Sequence, residues 1–171
     1  DSAAQIARLQ AEIDALQYLL ADQDDGEASP IIDQLTVSDG MEIALAAYLA
    51  DELSVPVGSG RRGFWRTAPP SKDLQPPDGT TALASYVTGA PALTMALAGV
   101  GVIDDRAQAE QLQMQLQPGQ VITSKDGNLW RWDGFVRLAS KTDKSAERIR
   151  QRRRLDHLQA DLAAVTKKSR R

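Results

Sequence analysis

The segment SAAQIARLQAEIDALQYLLADQ, residues 2–23, places Ile6, Leu9, Ile13, Leu16 and Leu20 at steps of 3, 4, 3 and 4. That is the a/d spacing of a coiled-coil seam, on a stretch free of Gly and Pro. Asp24-Asp25-Gly26 ends the pattern, and Pro30 keeps a helix from resuming. At the other end of the chain, residues 144–168 repeat the rhythm with Leu155, Leu158, Leu162 and Val165. Toward the start of this second helix the stripe thins to Ile149, set among Arg148, Arg150, Arg152, Arg153 and Arg154. So narrow a stripe is not stable alone in water and needs a partner helix.

Charge suggests the partner. The 171 residues carry a net −3, unevenly divided. Residues 1–30 hold Arg8 against Asp1, Glu12, Asp14, Asp22, Asp24, Asp25 and Glu27, a net −6. Residues 141–171 are net +7, and residues 31–140 net −4. Opposite charge favours pairing of the two ends with each other over self-pairing of either. If the middle returns the chain to its start, the ends form an antiparallel coiled coil. The alternative is two separate helices packed on the middle. The expected division is an N-terminal arm at 1–25, a central domain at 31–140 and a C-terminal arm at 141–171. Because the chain begins inside a heptad pattern, a fragment of a longer protein is expected.

The central segment reads as α+β or mixed α/β. Asp39 stands three before Glu42, a capping-box spacing, opening a helix with Met41, Leu45, Tyr48, Leu49 and Leu53 inward. Ser54 to Val57 and Phe64 to Thr67 are short strand candidates, the first demoted toward an edge by Pro56. Pro69, Pro70, Pro76, Pro77 and Gly79 mark a long loop. Leu83 to Val87 starts a short helix, and Pro91 suits a first helical position. Val100 to Ile103 is a buried-strand candidate, and Asp104-Asp105 caps a helix carrying Ala109, Leu112 and Leu116. Val121 to Thr123, Leu129 to Trp132 and Phe135 to Leu138, with turns at Asp126-Gly127 and Asp133-Gly134, form a meander. Trp130 and Trp132, two apart, share a strand face.

Chemistry is sparse. The chain has no cysteine, which removes disulfides and thiolate metal sites, a zinc hook among them. Its single histidine, His157, sits in the basic helix without triad or ligand partners and reads as solvated. Gly58-Ser59-Gly60-Arg61-Arg62-Gly63 matches G-x-G-x-x-G, but no helix pattern follows to hold a phosphate. No apolar run approaches the roughly 20 residues of a membrane span. An enzyme, a cofactor and a small-molecule substrate are not expected. The arginines of 148–154 are open to two readings, service to the acidic arm or contact with phosphates. Trp130 and Trp132 are likewise open to core or interface, with interface favoured because a terminal meander leaves an edge to cover.

The order of heptad helix, α/β domain and heptad helix resembles the hinge region of bacterial SMC (structural maintenance of chromosomes) proteins. The resemblance rests on Leu35-Thr36-Val37 with the helix from Gly40, Glu42 and Ala44 to Leu49. It continues through Val100-Gly101-Val102-Ile103-Asp104-Asp105 into Ala107 and Ala109. The last stretch, Val121 through Trp130 to Phe135, is similar to the alphaproteobacterial version.

The resemblance implies a non-enzymatic homodimerisation module that joins two arms of a chromosome condensation and segregation ATPase, whose heads lie elsewhere. It implies a cytoplasmic, nucleoid-associated protein whose hinge–coil junction can touch DNA. On this basis Trp130, Trp132, Gly134, Phe135 and Arg137 are the expected dimer contact. Lys141, Lys144, Arg148, Arg150, Arg152, Arg153 and Arg154 are the expected DNA contact. The alternative is a nucleic-acid-binding coiled-coil module using the arginine-rich helix. Many family members end the domain in a glycine-rich stretch; here Gly134 alone stands for it, before Phe135-Val136-Arg137-Leu138.

Overall fold

The structure, a computed structural model, describes residues 1–21, 28–139 and 144–170, with Ala21, Lys144 and Ser145 described by backbone alone. Two long helices, α1 (Ser2–Ala21) and α5 (Lys144–Ser169), pack on each other. Ile13, Leu20, Leu155 and Leu158 are buried between them, with Leu9, Leu16 and Leu162 alongside. Ile6 and Val165, farther along the same seam, are partly covered. The direction follows from the contacts: Arg148 meets Leu20, whereas Arg154 meets Glu12. As one number rises the other falls, so the pair is antiparallel, and the arms choose each other as their spacing predicts. The expected stop at Asp24-Asp25-Gly26 lies outside the described residues, as do four of the arm's acids, Asp22, Asp24, Asp25 and Glu27.

Between the arms lies a mixed α/β body. Strands β1 (Thr36–Val37) and β3 (Val87–Thr88) form a small antiparallel pair. A second sheet has the order β2-β4-β5-β6-β7, made of β2 (Thr81–Ala82), β4 (Val100–Val102), β5 (Val121–Thr123), β6 (Leu129–Arg131) and β7 (Val136–Arg137). β4 and β5 are parallel, and the other neighbours antiparallel. Helices α2 (Glu42–Leu49) and α4 (Arg106–Gln113) cover it. A short helix, α3 (Thr94–Leu97), follows the turn that Pro91 opens. On one side Leu45, Leu49, Leu53, Leu83, Leu93 and Val100 fill the main core. On the other, Ala109, Ile122 and Trp130 pack with Ile103, Leu112 and Leu116. The cap at Asp105 forms as expected, its carboxylate accepting from the Gln108 N–H at 3.2 Å.

Three local expectations are corrected. Asp39 does not cap α2; Met41 takes the N-cap position without a side-chain bond. The Asp39 carboxylate goes instead to Arg153, 3.1 Å away, and the buried Glu42 pairs with the same guanidinium. A cation brought in by α5 outcompetes backbone amides for both acids. The strand candidates around Val57 and Trp65 reduce to one parallel bridge, because Pro56 and the Gly58–Gly63 loop leave no room for a ladder. Trp132 does not share a face with Trp130: β6 ends at Arg131, and Trp132 enters the turn.

Candidate dimerisation edge and coil junction

Two regions gather the candidate residues. The first is the free end of the larger sheet. β7 pairs with β6 through Leu129 with Arg137 and Trp130 with Val136, and no described strand lies on its other side. The turn before it is firmly held. Gly134, at φ +91°, makes the reversal, and its amide donates to the Arg131 carbonyl at 3.1 Å. Arg131 grips Asp133 with two bonds of 2.8 Å, and its guanidinium lies 4.7 Å from the Phe135 ring centre. Those bonds hold the Asp133 carboxyl below its usual range and raise the already basic Arg131. The Gln113 side chain on α4 donates to the carbonyls of Arg131 and Phe135 at 3.1 and 3.2 Å. The turn is therefore built before any partner arrives.

What it presents is apolar. Trp132 is 45% exposed, Phe135 41%, Val136 42% and Leu138 51%. Trp130 is different: with no exposure at all, it fills the core beneath α4 and is corrected from interface to core. Arg137 donates to the Ala47 carbonyl, so it ties the edge to the last turn of α2, where a cation suits the helix dipole. Val136 and Leu138 lie in the 129–138 meander but were not among the residues singled out from the sequence. The signal available was the step of two from the Asp133-Gly134 turn along an edge strand.

A cavity of about 370 Å³ lies beside this edge, between Tyr48, Glu52, Arg131, Trp132, Phe135 and Arg137. Burial, and then the Glu52 charge, push the Tyr48 hydroxyl up from its ordinary value, and it donates to the Ala96 carbonyl at 2.8 Å. The polar heads of Tyr48, Arg131 and Arg137 are each bonded to the protein itself. The cavity thus lacks a nucleophile set against a base. Among the described residues no group of His, Cys, Asp and Glu could hold a metal. No described helix is long and apolar enough to cross a membrane.

The second region is the coil junction. Arg148, though charged, is buried. Its Nη1 donates to the Leu20 carbonyl at 3.1 Å and its Nη2 to Asp33 at 2.8 Å. Arg153 serves Asp39 and Glu42, and Arg154 reaches Glu12 across the coil at 2.8 Å. Arg150 and Arg152 pair within their own helix, with Glu147 and Asp156 at 3.2 and 3.7 Å. Of the expected DNA-contacting set, Arg148 is therefore withdrawn into the protein, for the reason that Asp33 and a helix-end carbonyl need it. Lys141 lies outside the described residues, and so does the Lys144 side chain. His157 is exposed on the outer face of α5, as its setting predicts. The Arg154–Glu12 pair is the service to the acidic arm that the sequence left open, whereas Asp33 and Glu42, both in the central domain, were not foreseen as partners.

The chain is similar to two chromosome partition proteins named Smc. It is 35% identical over 163 residues to that of Rhodopseudomonas palustris, a match spanning 95% of this chain and 14% of that protein. It is 36% identical over 149 residues to that of Cereibacter sphaeroides, spanning 85% of the chain and 13% of that protein. The chain belongs to the SMC family. No family model matches it. The fold agrees with solved SMC hinges. A Geobacillus stearothermophilus SMC hinge, crystallised as an asymmetric dimer, superposes with a TM-score of 0.72 at 15% identity, over 98% of this chain and 86% of that one. The Pyrococcus furiosus Smc hinge with an extended coiled coil gives 0.54 at 12% identity, over 99% and 78%. What the chain spans is the hinge of an SMC protein with its flanking coiled coil, not an ATPase head.

Proposed function

We propose that this hinge joins two copies of an SMC chromosome-partition protein, each copy folding its two arms back on itself. The carrying observation is the preformed turn at 131–135 with Trp132, Phe135, Val136 and Leu138 exposed along the unpaired β7 edge. An open strand edge flanked by large apolar side chains gains both ladder hydrogen bonds and burial from a second copy. Aromatic anchors held rigid before contact lose little entropy on binding. The hinge structure of the Geobacillus protein is itself a dimer, which supports the same assembly here. In this reading residues 31–140 are the dimerisation domain and the flanking residues are arms. The full-length protein is a chromosome-bound ATPase of the cytoplasm.

The test is sedimentation equilibrium of the full chain at tens of micromolar, a concentration at which ordinary specific association is complete. A dimer is expected, converted to monomer by Phe135→Glu with Val136→Glu at unchanged helix content. A parent that sediments as a clean monomer refutes the reading. DNA contact at the coil junction is the finer part of the proposal, and Arg150 and Arg152 are its best carriers on α5, since their acidic partners are exposed residues of the same helix. Charge reversal of both should weaken a salt-sensitive DNA affinity; unchanged affinity removes α5 from the DNA surface.

A further inference from the structure

The proline-rich stretch 68–80 has no helix or strand of its own, yet two of its residues are set against the sheet. Leu74 lies over Gly99 and Gly119: a Cβ on Gly99 would stand 2.8 Å from the leucine Cδ1, and one on Gly119 3.1 Å from it. The two glycines leave the seat that the leucine fills. One residue on, the Gln75 carbonyl accepts from the Gln120 side-chain amide at 2.9 Å. The other end of that amide, its oxygen, accepts from the Gln117 N–H at 2.8 Å. Gln120 is thus fixed at both ends of its side chain, and its backbone carbonyl accepts from the Trp132 N–H at 3.2 Å. The loop therefore braces the residue that holds Trp132.

Helix α4 does the same for the other half of the turn. Gln113, half-buried at the end of α4, donates to the Arg131 and Phe135 carbonyls. Its NH₂ group carries two hydrogens, one for each carbonyl. A thioether of similar length has none, and so cannot replace it. The same two carbonyls close the turn itself, accepting from the Gly134 and Arg131 amides. Gln113 therefore clasps the turn across its own hydrogen bonds. What each glutamine grips is main chain, so its effect on a partner is exerted through the turn. The large anchors of that turn, Trp132 and Phe135, are exposed. An anchor already in place loses less freedom on contact than one that must be ordered.

We propose that Gln113 and Gln120 are positioning residues for self-association. Gln113 holds the Phe135 side of the turn, and Gln120, braced by Leu74 and Gln75, holds the Trp132 side. The assignment rests on the dimer contact proposed above, and it gives the proline-rich loop a part in that contact. Affinity then depends on how much of the time the free turn keeps its bound shape. A turn that keeps it a tenth of the time weakens association about tenfold.

The experiment is sedimentation equilibrium of the full chain over a dilution series, joined to amide hydrogen exchange by NMR. Gln113→Met keeps the side-chain length and the helix preference and removes both donors. It should raise the dimer dissociation constant about tenfold. Gln120→Met and Leu74→Ala should act in the same direction. Gln113→Lys, whose ammonium again offers donors to both carbonyls, should return the constant to within about threefold of the parent. Gln111→Met, at an exposed position of the same helix, is the control and should associate as the parent does. Exchange is followed in the monomeric Phe135→Glu, Val136→Glu background, so that it reports the turn and not the contact. There Gln113→Met should speed exchange at the Gly134 amide, and Gln120→Met at the Trp132 amide, with Ile122 in β5 unchanged. A monomeric parent overturns the dimer contact and this assignment with it. With a dimeric parent, a Gln113→Met or Gln120→Met chain that associates as the parent does overturns the assignment alone. Equal weakening by Gln111→Met, no recovery in Gln113→Lys, or faster exchange at Ile122 together with the turn overturns it too, since the loss would then belong to the whole domain.

Discussion

Replacing Arg148 by Met should be among the most damaging single changes at the coil junction. The Arg148 and Asp33 side chains are only 7% and 11% exposed, and their bond is 2.8 Å long. Arg148→Met keeps the stem that packs in the seam and removes the charge, so the Asp33 carboxylate is left buried and the Leu20 carbonyl loses its donor. Breaking a buried pair from one side costs about 3–5 kcal/mol, whereas an exposed pair is worth about 0–1. For a chain of this size, about 2–4 °C of melting temperature per kcal/mol converts that to a fall of roughly 6–20 °C. Replacing both partners, Arg148→Met with Asp33→Leu, should recover part of the loss, because an apolar pair carries no desolvation penalty. The Leu20 carbonyl stays without its donor in the double variant, so about 1–3 kcal/mol of the loss persists. The assay is urea unfolding followed by far-ultraviolet circular dichroism and by tryptophan fluorescence, at one fixed protomer concentration, since self-association of the kind proposed would add to apparent stability. A single variant that loses less than about 1 kcal/mol, or a double variant that loses the sum of its parts, refutes the buried-pair account.

Further predictions follow from single positions. Gly101→Ala should destabilise the sheet severely, since a Cβ there would stand 2.0 Å from the Thr80 hydroxyl; Thr80→Gly in the same chain should restore part of the melting temperature. Leu158→Ala, at a buried seam position, should cost about 2–5 kcal/mol and loosen the arms, read as lost helicity at 222 nm. Asp133 has a folded-state pKa below its unfolded one, through the Arg131 bonds first. Its contribution to the turn is thus complete above the ordinary carboxylate range and disappears as pH falls through the depressed value. A carboxyl carbon titration by NMR should show the depression, and Arg131→Ala should return Asp133 toward its ordinary value.

The arms and the meander were legible because their signals are periodic or local. Five apolar residues at steps of 3 and 4, and turns at Asp126-Gly127 and Asp133-Gly134, do not need a distant partner to be recognised. The β1–β3 pair and the pairing of Thr81 and Ala82 with β4 were not legible. Strands of two residues carry no alternation, and their partners lie far off in the chain. Trp130 and Trp132 were separated by the end of β6, a boundary that spacing alone does not mark. Arg148 is the instructive case. Continuing the seam back from Leu155 by 4 and then 3 lands on Gln151 and on Arg148. The register pointed Arg148 inward before any contact was known, yet an arginine in a basic run invites a surface reading. Asp33, 115 residues away in sequence, supplies the countercharge that makes burial tolerable.

That arrangement bears on how a dimer contact could set the direction of the arms. α5 runs as one helix of 26 residues from the domain into the coil. Ile149 near its start belongs to the main core with Leu45, Leu53 and Val100, and Leu155 and Leu158 farther on belong to the coil. Bending between them would break backbone hydrogen bonds of the helix itself and expose Ile149. Among the described residues α1 is held chiefly by α5, along the seam and through the Leu20 carbonyl, which accepts from Arg148. The coil therefore inherits its direction from α5, and α1 follows by packing along the seam. The arginines divide accordingly. Arg148 and Arg153 fix α5 to the domain, and Arg154 fixes α1 to α5. If the arms must part or swing while the domain stays dimeric, α1 is the helix that yields. Loss of the Arg154–Glu12 pair, exposed and weak, should loosen α1 without disturbing the domain, whereas loss of Arg148 should disturb both.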